Sequence, residues 1–311
     1  ASDLSDPNKR LDYHNADRLL AECVHVSRQM HFGLLIGQLS EPWHLGLPGL
    51  VVYYAPTVRH ALEGLSEMLD LHDEAADVFL EVGPEYSRLS FFAFEPGTEA
   101  IEVVYDLAST MLCKIMRSLC GPRWNPTAMS VPRHEPERLG PFNRYFRCPL
   151  YFDATELALT FENRWLSHSP GTSDLPRYRQ IRIRAAALHD QEHRELIDML
   201  PIAIRRGLLL GKFSARQIAT HLGMHERTLH RRLTIADTSF RAELDRTRQS
   251  FAEQLLEATS MPVRDIASAL GYTHTSSFIR AFERWSDLSP TRWRAEHQLL
   301  AEGGTIAPAG T

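Results

Sequence analysis

A short pattern occurs twice in the last third of the chain, and it carries the residues best suited to chemistry. Ile218-Ala219-x-x-Leu222-Gly223 recurs as Ile266-Ala267-x-x-Leu270-Gly271, 48 residues later. The next apolar pair, Leu229 and Leu233, recurs as Phe278 and Phe282, 49 residues later, so the second copy has one extra residue in its turn. Around these pairs lie Arg227, His230 and Arg231 in the first copy, and Thr275, Ser276, Ile279 and Arg280 in the second. A guanidinium is a rigid fork of donors that fits a phosphate or the O6/N7 edge of guanine. Hydroxyls bond to base edges, and an apolar side chain can touch a thymine methyl. Such a set suits the reading of duplex DNA rather than the breaking of a bond.

One other cluster suggests chemistry of a different class. His189-Asp190-Gln191-Glu192-His193 matches the H-x-x-E-H pattern of some zinc proteases, in which two histidines four apart on a helix share one metal. It sits in a charged stretch with no apolar core of its own, so a metal-dependent hydrolase is the alternative reading. No phosphate-cradling glycine loop, nucleophile elbow or catalytic carboxylate pair stands out. The expectation is a protein that is not an enzyme, with no catalytic residue, metal or cofactor.

The elements that must carry the repeated residues follow from the same spacing. Each copy predicts a short helix, a glycine turn and a second helix. The Ile-Ala pair and the Leu pack the first helix onto the second, and glycine allows positive φ where the chain turns. The i, i+4 apolar pair anchors the second helix and leaves its other face free for a major groove. Ser214 can cap the first copy, and Pro262 can start the second. Thr273 or His274 can cap the last of these helices. An amphipathic helix over 239–257 joins the copies.

Charge separates along the chain. Of 311 residues, 43% are hydrophobic and 23% charged, near globular averages, and the formal net charge is −5. Residues 205–297 hold 15 basic and 10 acidic residues, a net of +5, and only Lys212 among the basic ones is not arginine. The remainder holds 19 basic and 29 acidic residues, a net of −10. The average thus conceals a basic third suited to a polyanion.

The first half predicts a different class. Helices are expected over 15–31, from Thr57 to Leu69, over 98–119 and near 136–146. Strands are expected at 77–82, 87–94, 127–131, 149–152 and 157–161. Between the first two helices, the stretch from Gly33 to Gly49 is punctuated by glycines and prolines. The whole is an α+β domain followed by an all-α domain with two helix-turn-helix motifs joined by a linker helix. The boundaries are 1–165 for the α+β domain, 166–204 for an inter-domain linker and helix, 205–297 for the helical domain, and 298–311 for a disordered tail. Cys23, Cys113, Cys120 and Cys148 form no C-x-x-C pair, and Cys113 and Cys120 are expected as buried small hydrophobes. Apolar runs are too short to span a bilayer, and the opening Ala1-Ser2-Asp3 leads into no basic-then-apolar leader. A cytoplasmic protein without a membrane partner is expected.

The stretch from FSARQIATHLGMHERTLHRRLTIADTSF to MPVRDIASALGYTHTSSFIRAFERWSDLSPTRWR resembles the AraC/XylS family of bacterial transcription regulators. Gly271-Tyr272, Ser277-Phe278, Arg280-x-Phe282 and Leu288-Ser289-Pro290-x-x-Trp293-Arg294 carry the likeness, over about 90 residues. The resemblance implies a DNA-binding domain whose two recognition helices enter successive major grooves of double-stranded promoter DNA. RNA polymerase is a further implied partner, and the chain acts as a monomer or a homodimer. Arg227, His230, Arg231, Thr275, Ser276, Ile279 and Arg280 take the DNA-contacting positions, while Arg292 and Arg294 would meet phosphate or solvent.

The first half resembles the arabinose-binding type of effector domain fused to this module. Gly33-Leu34-Leu35-Ile36-Gly37, Leu45-Gly46-x-x-Gly49, Ala55-Pro56-Thr57-Val58 and Gly121-Pro122-x-Trp124 carry that likeness. It implies a small-molecule effector, and the alternative is a domain that only dimerises. The His-rich strand pattern of the sugar-sensing jelly rolls is absent. Trp43, His44, Tyr53, Tyr54 and Phe92 combine apolar bodies with polar neighbours and are the candidate ligand-binding residues.

Overall fold

The computed structural model describes residues 13–73, 75–93, 100–191 and 196–303. The chain divides into two compact units, residues 1–191 and 192–311.

The N-terminal unit is mixed α and β. Its helices are α1 (Tyr13–Ser27), α2 (Phe32–Leu39), α3 (Leu47–Tyr54), α4 (Val58–Met68), α5 (Ile101–Cys120), α6 (Gly140–Phe146) and α7 (Leu175–Gln191). The strands β1 (Ala76–Val82), β2 (Tyr86–Ala93), β3 (Ala128–Ser130), β4 (Leu150–Tyr151) and β5 (Leu157–Glu162) form a sheet in the order β1-β2-β5-β3-β4. Neighbours are antiparallel except β3 and β4, which run parallel. Register places Val78 opposite Phe91, and Leu89 opposite both Leu80 and Leu159, so these share one face. Helix α5 runs through the core: Tyr105 meets Phe91 edge-on at 6.4 Å, and Leu112, Ile115 and Met116 are buried. Gly121, at φ +99°, stops it. Thr57 caps α4 by accepting the His60 N–H at 3.4 Å.

The stretch punctuated by glycines and prolines is mostly helical. It holds α2, a 3-10 turn at 42–45 and α3. Gly33 and Gly37 are not turn residues; they let α2 lie against α5. A Cβ at 33 would fall 2.2 Å from the Val103 carbonyl oxygen, and one at 37 would fall 2.5 Å from Thr110 Cβ. In the same core Arg133 donates to Asp106 at 2.6 Å and reaches Glu102 at 2.9 Å, pinning the chain after β3 to α5. Arg133 and Asp106 are both buried. Cys113 is buried as expected, and burial pushes its thiol up to about 11 and that of the half-buried Cys120 to about 12.

The C-terminal unit is helical throughout its described residues: α8 (Leu196–Leu209), α9 (Ala215–His221), α10 (Glu226–Ile235), α11 (Phe240–Ala258), α12 (Val263–Ala269), α13 (Thr275–Ser286) and α14 (Pro290–Gly303). The repeat builds its core. Ile218, Ala219, Ile266, Ala267, Leu229, Leu233, Phe278 and Phe282 are all buried in one cluster with Leu200, Ile204, Leu208, Phe251, Leu255 and Trp293.

The segment 166–204, expected as an inter-domain linker and helix, takes in two helices: α7 packs on α3 in the first unit, while α8 packs on α11 in the second. A boundary at 205 would cut α8 between Ile204 and Leu208, both core residues. The tail expected over 298–311 is preceded by helix further than predicted, because α14 continues to Gly303; residues 304–311 lie outside the described ones.

Candidate nucleic-acid interface

Each helix pair is closed by the same backbone device. In the first, the Met224 N–H bonds to the Ala219 carbonyl at 2.9 Å across Gly223 at φ +65°. In the second, the Tyr272 N–H bonds to the Ala267 carbonyl at 2.9 Å across Gly271 at φ +74°. A carbonyl three residues before the helix end is satisfied by an N–H two residues past it, which requires a left-handed residue between. The glycines of the repeat meet that requirement. Ser214 caps α9 and exchanges bonds with Gln217, whose Oε1 accepts the Ser214 N–H at 3.1 Å. The extra residue of the second copy lies in its turn, as the spacing predicts: four residues separate α9 from α10, and five separate α12 from α13. Helix α12 follows Pro262, its N-cap. His274 occupies the N-cap of α13 without a side-chain cap bond, so neither it nor Thr273 caps this helix as expected.

With Leu229 and Leu233 buried, helical spacing turns the predicted reading residues outward. Arg227, His230 and Arg231 are exposed on α10. His230 lies 3.8 Å from Glu226 on the same face. On α13, burial of Phe278 and Phe282 leaves Ser276 and Arg280 exposed and Thr275 and Ile279 half-buried.

Several exposed guanidiniums of this unit differ in whether a carboxylate holds them. Arg246 pairs with Glu243 at 2.6 Å, Arg264 with Asp265 at 3.2 Å, Arg284 with Asp245 at 3.6 Å and Arg292 with Glu296 at 3.0 Å. Arg227, Arg231, Arg232 and Arg280 are exposed and, among the described residues, make no ion pair. An exposed guanidinium without a carboxylate is free to meet a phosphate or a base edge without first breaking an internal bond.

Three arginines have roles that local sequence pattern did not reveal. Arg294, expected at phosphate or solvent, donates to the Leu256 carbonyl at 3.2 Å and the Met261 carbonyl at 2.7 Å, so it secures the end of α11. Arg205 on α8 is buried over the Phe251 ring at 4.3 Å and bonds Gln254. Arg248 on α11 donates to the Leu270 carbonyl at 2.9 Å and stacks on Tyr272 at 4.5 Å. These contacts bridge 22 to 49 residues of sequence, a distance at which no periodicity signals a partner.

The expected ligand residues are spread over several elements. Trp43 and His44 are exposed on the 3-10 turn, and His44 Nδ1 accepts the Glu41 N–H at 3.1 Å. Tyr53 and Tyr54 are half-buried on α3; the Tyr54 hydroxyl accepts from Arg177 at 3.1 Å. Phe92 is sealed in the sheet core, 6.0 Å from Phe79. An open groove between α4 and α7 is lined by other residues, His60, Glu63, Glu67, Tyr178, Arg179 and Arg182 among them. The H-x-x-E-H segment reaches beyond the described residues; among those described, no group of three or more metal-ligating residues occurs. No described helix is long and apolar enough to cross a membrane.

Comparison with known proteins gives the geometry its context. A model described as the arabinose-binding domain of AraC transcription regulators, N-terminal, matches residues 1–169, more than half of the chain. The chain belongs to the AraC family of transcription regulators. A helix-turn-helix model matches residues 218–296 of this AraC-family chain and takes in both copies of the repeat. The HTH-type transcriptional regulator VirS of Mycobacterium tuberculosis is 24% identical over 267 residues, covering 85% of this chain and 78% of that protein. The ornithine utilization regulator of Pseudomonas aeruginosa is 25% identical over 313 residues, covering 94% and 86%. The crystal structure of transcriptional regulator CdpR from Pseudomonas aeruginosa is similar over 92% of this chain and 99% of that one, with a TM-score of 0.43 and 19% identity. This AraC-family protein is a DNA-binding transcription regulator with an arabinose-binding-type N-terminal domain.

Proposed function

We propose that α10 and α13 read one promoter site together, each from its own major groove, and that the N-terminal domain presents them in response to a small molecule. Residues 205–297, together with the start of α8, form the DNA-binding part, and residues 1–165 form the sensing part. Arg227, His230 and Arg231 contact the bases of one half-site, with the arginines favouring guanine. Thr275, Ser276, Ile279 and Arg280 contact the other, where Ile279 suits a thymine methyl. The observation that carries this reading is the set of exposed, unpaired guanidiniums on the outer faces of the two repeat-derived helices. A ligand acts on such a protein through its different affinity for two states of presentation.

The reading is tested by gel shift on a duplex selected by the wild-type chain. Arg231→Ala should weaken specific binding by about 1–3 kcal/mol and relax one base position. Unchanged affinity would show that α10 does not read the site through Arg231. For the sensing domain, a small-molecule library should contain a compound that raises the melting temperature, since a ligand of the folded state stabilises it by mass action. A domain that only dimerises would show no such compound and a melting temperature that rises with protein concentration.

A further inference from the structure

Two recognition helices on one rigid body accept only one spacing of their half-sites. B-DNA turns once in roughly 10–10.5 base pairs, so adding one pair rotates a half-site by about 35° as well as moving it. Whatever holds α12 and α13 against α9 and α10 therefore decides which spacing is bound.

One side chain joins the parts that must be held. Arg248 lies in the middle of α11, the helix between the two copies. Its Nε–H bonds at 2.9 Å to the carbonyl of Leu270, the residue that ends α12. Its guanidinium covers the Tyr272 ring at 4.5 Å and the Phe213 ring at 5.4 Å. Phe213 directly precedes Ser214, the cap of α9. The Phe213 ring is also pressed on Gly271, where a Cβ would come within 2.5 Å of it. The start of the first copy, the connecting helix and the turn of the second copy thus meet at one guanidinium. A lysine replaces it only in part, because an ammonium can donate but lacks the plane that stacks on rings. Asp245, one turn earlier on α11, reaches Arg284 of α13 at 3.6 Å and supports the same join.

We propose that Arg248 is a positioning residue that fixes the angle between the two recognition helices and so sets the half-site spacing the protein accepts. The inference rests on the two-helix reading above. It concerns the relation between the half-sites, whereas Arg231 concerns contacts within one.

The test uses the full chain and the duplex it enriches from a random library. Affinities are measured for that duplex and for versions with one or two base pairs added or removed between the half-sites. Arg248→Ala should lose on the order of tenfold on the selected spacing and little on the altered ones, flattening the preference. Arg231→Ala should instead lower all spacings alike. Arg248→Lys should fall between Arg248→Ala and wild type. If Arg248→Ala does not fold by circular dichroism, Arg248→Lys and Phe213→Leu decide, with flattening again expected. A spacing preference unchanged in the folded variants, or an equal loss on every duplex, overturns the positioning role and leaves the two-helix reading standing. A wild-type chain that enriches no duplex overturns both.

Discussion

At the scale of the residue, two arginines on neighbouring helices show how context decides a role. Arg231 projects from α10 and makes no ion pair among the described residues, whereas Arg248 is held by a carbonyl and two rings. The outward placement of the first was legible, because burial of Leu229 and Leu233 four residues apart fixes the outward face of a helix. The second was not, because Phe213 and Tyr272 reach Arg248 only through tertiary packing. Among the candidate ligand residues, the same ambiguity falls on Phe92. A large aromatic such as Phe92 is equally suited to a pocket and to a sheet core, and it lies in the core.

Asp106 offers a test of the N-terminal core at the same scale. Burial pushes its pKa up to about 7, with Arg133 opposing the shift. The folded protein then holds a proton on this group at pH values where the unfolded chain has released it. Stability from this group is complete below about pH 4, falls as pH rises and is lost by about pH 7. The stability of wild type relative to Asp106→Asn, from denaturant titrations, should therefore shrink across that window and level off above it. A difference that is constant or grows with pH would mean that Arg133, not burial, governs Asp106.

At the scale of the element, repetition made the helix-turn-helix pairs readable. The same Ile-Ala, Leu-Gly and i, i+4 signals appear twice, and both glycines have the positive φ that a helix stop requires. Helices α2 and α3 lacked that advantage, since glycine marks a turn and a close helix crossing with the same letter. Gly33→Ala separates the two roles. If Gly33 were an ordinary helical glycine, alanine would stabilise α2 by roughly 1 kcal/mol. Because a Cβ there meets the Val103 carbonyl at 2.2 Å, the substitution should instead destabilise the N-terminal domain by about 1–3 kcal/mol in chemical denaturation. A neutral or stabilising result would refute the close crossing.

At the scale of the whole molecule, the chain concentrates positive charge in its last third and sets an acidic domain before it. The division between the units is drawn by packing, which sequence composition near 166–204 did not reveal. Helix α8 contributes Leu200, Ala203, Ile204 and Leu208 to the C-terminal core. A fragment of residues 192–303 should accordingly melt cooperatively, whereas one beginning at 205 should melt at a lower temperature or not fold. Equal melting of the two would place α8 outside the DNA-binding unit.

The central claim is that two recognition helices act on one DNA site. The measurement that meets it most directly is enrichment of random duplex DNA on the whole 311-residue chain, followed by sequencing. Two half-sites with centres about 10 base pairs apart are expected, one of them rich in guanine contacts for α10. A motif containing one half-site alone, or no enriched motif, would contradict the account.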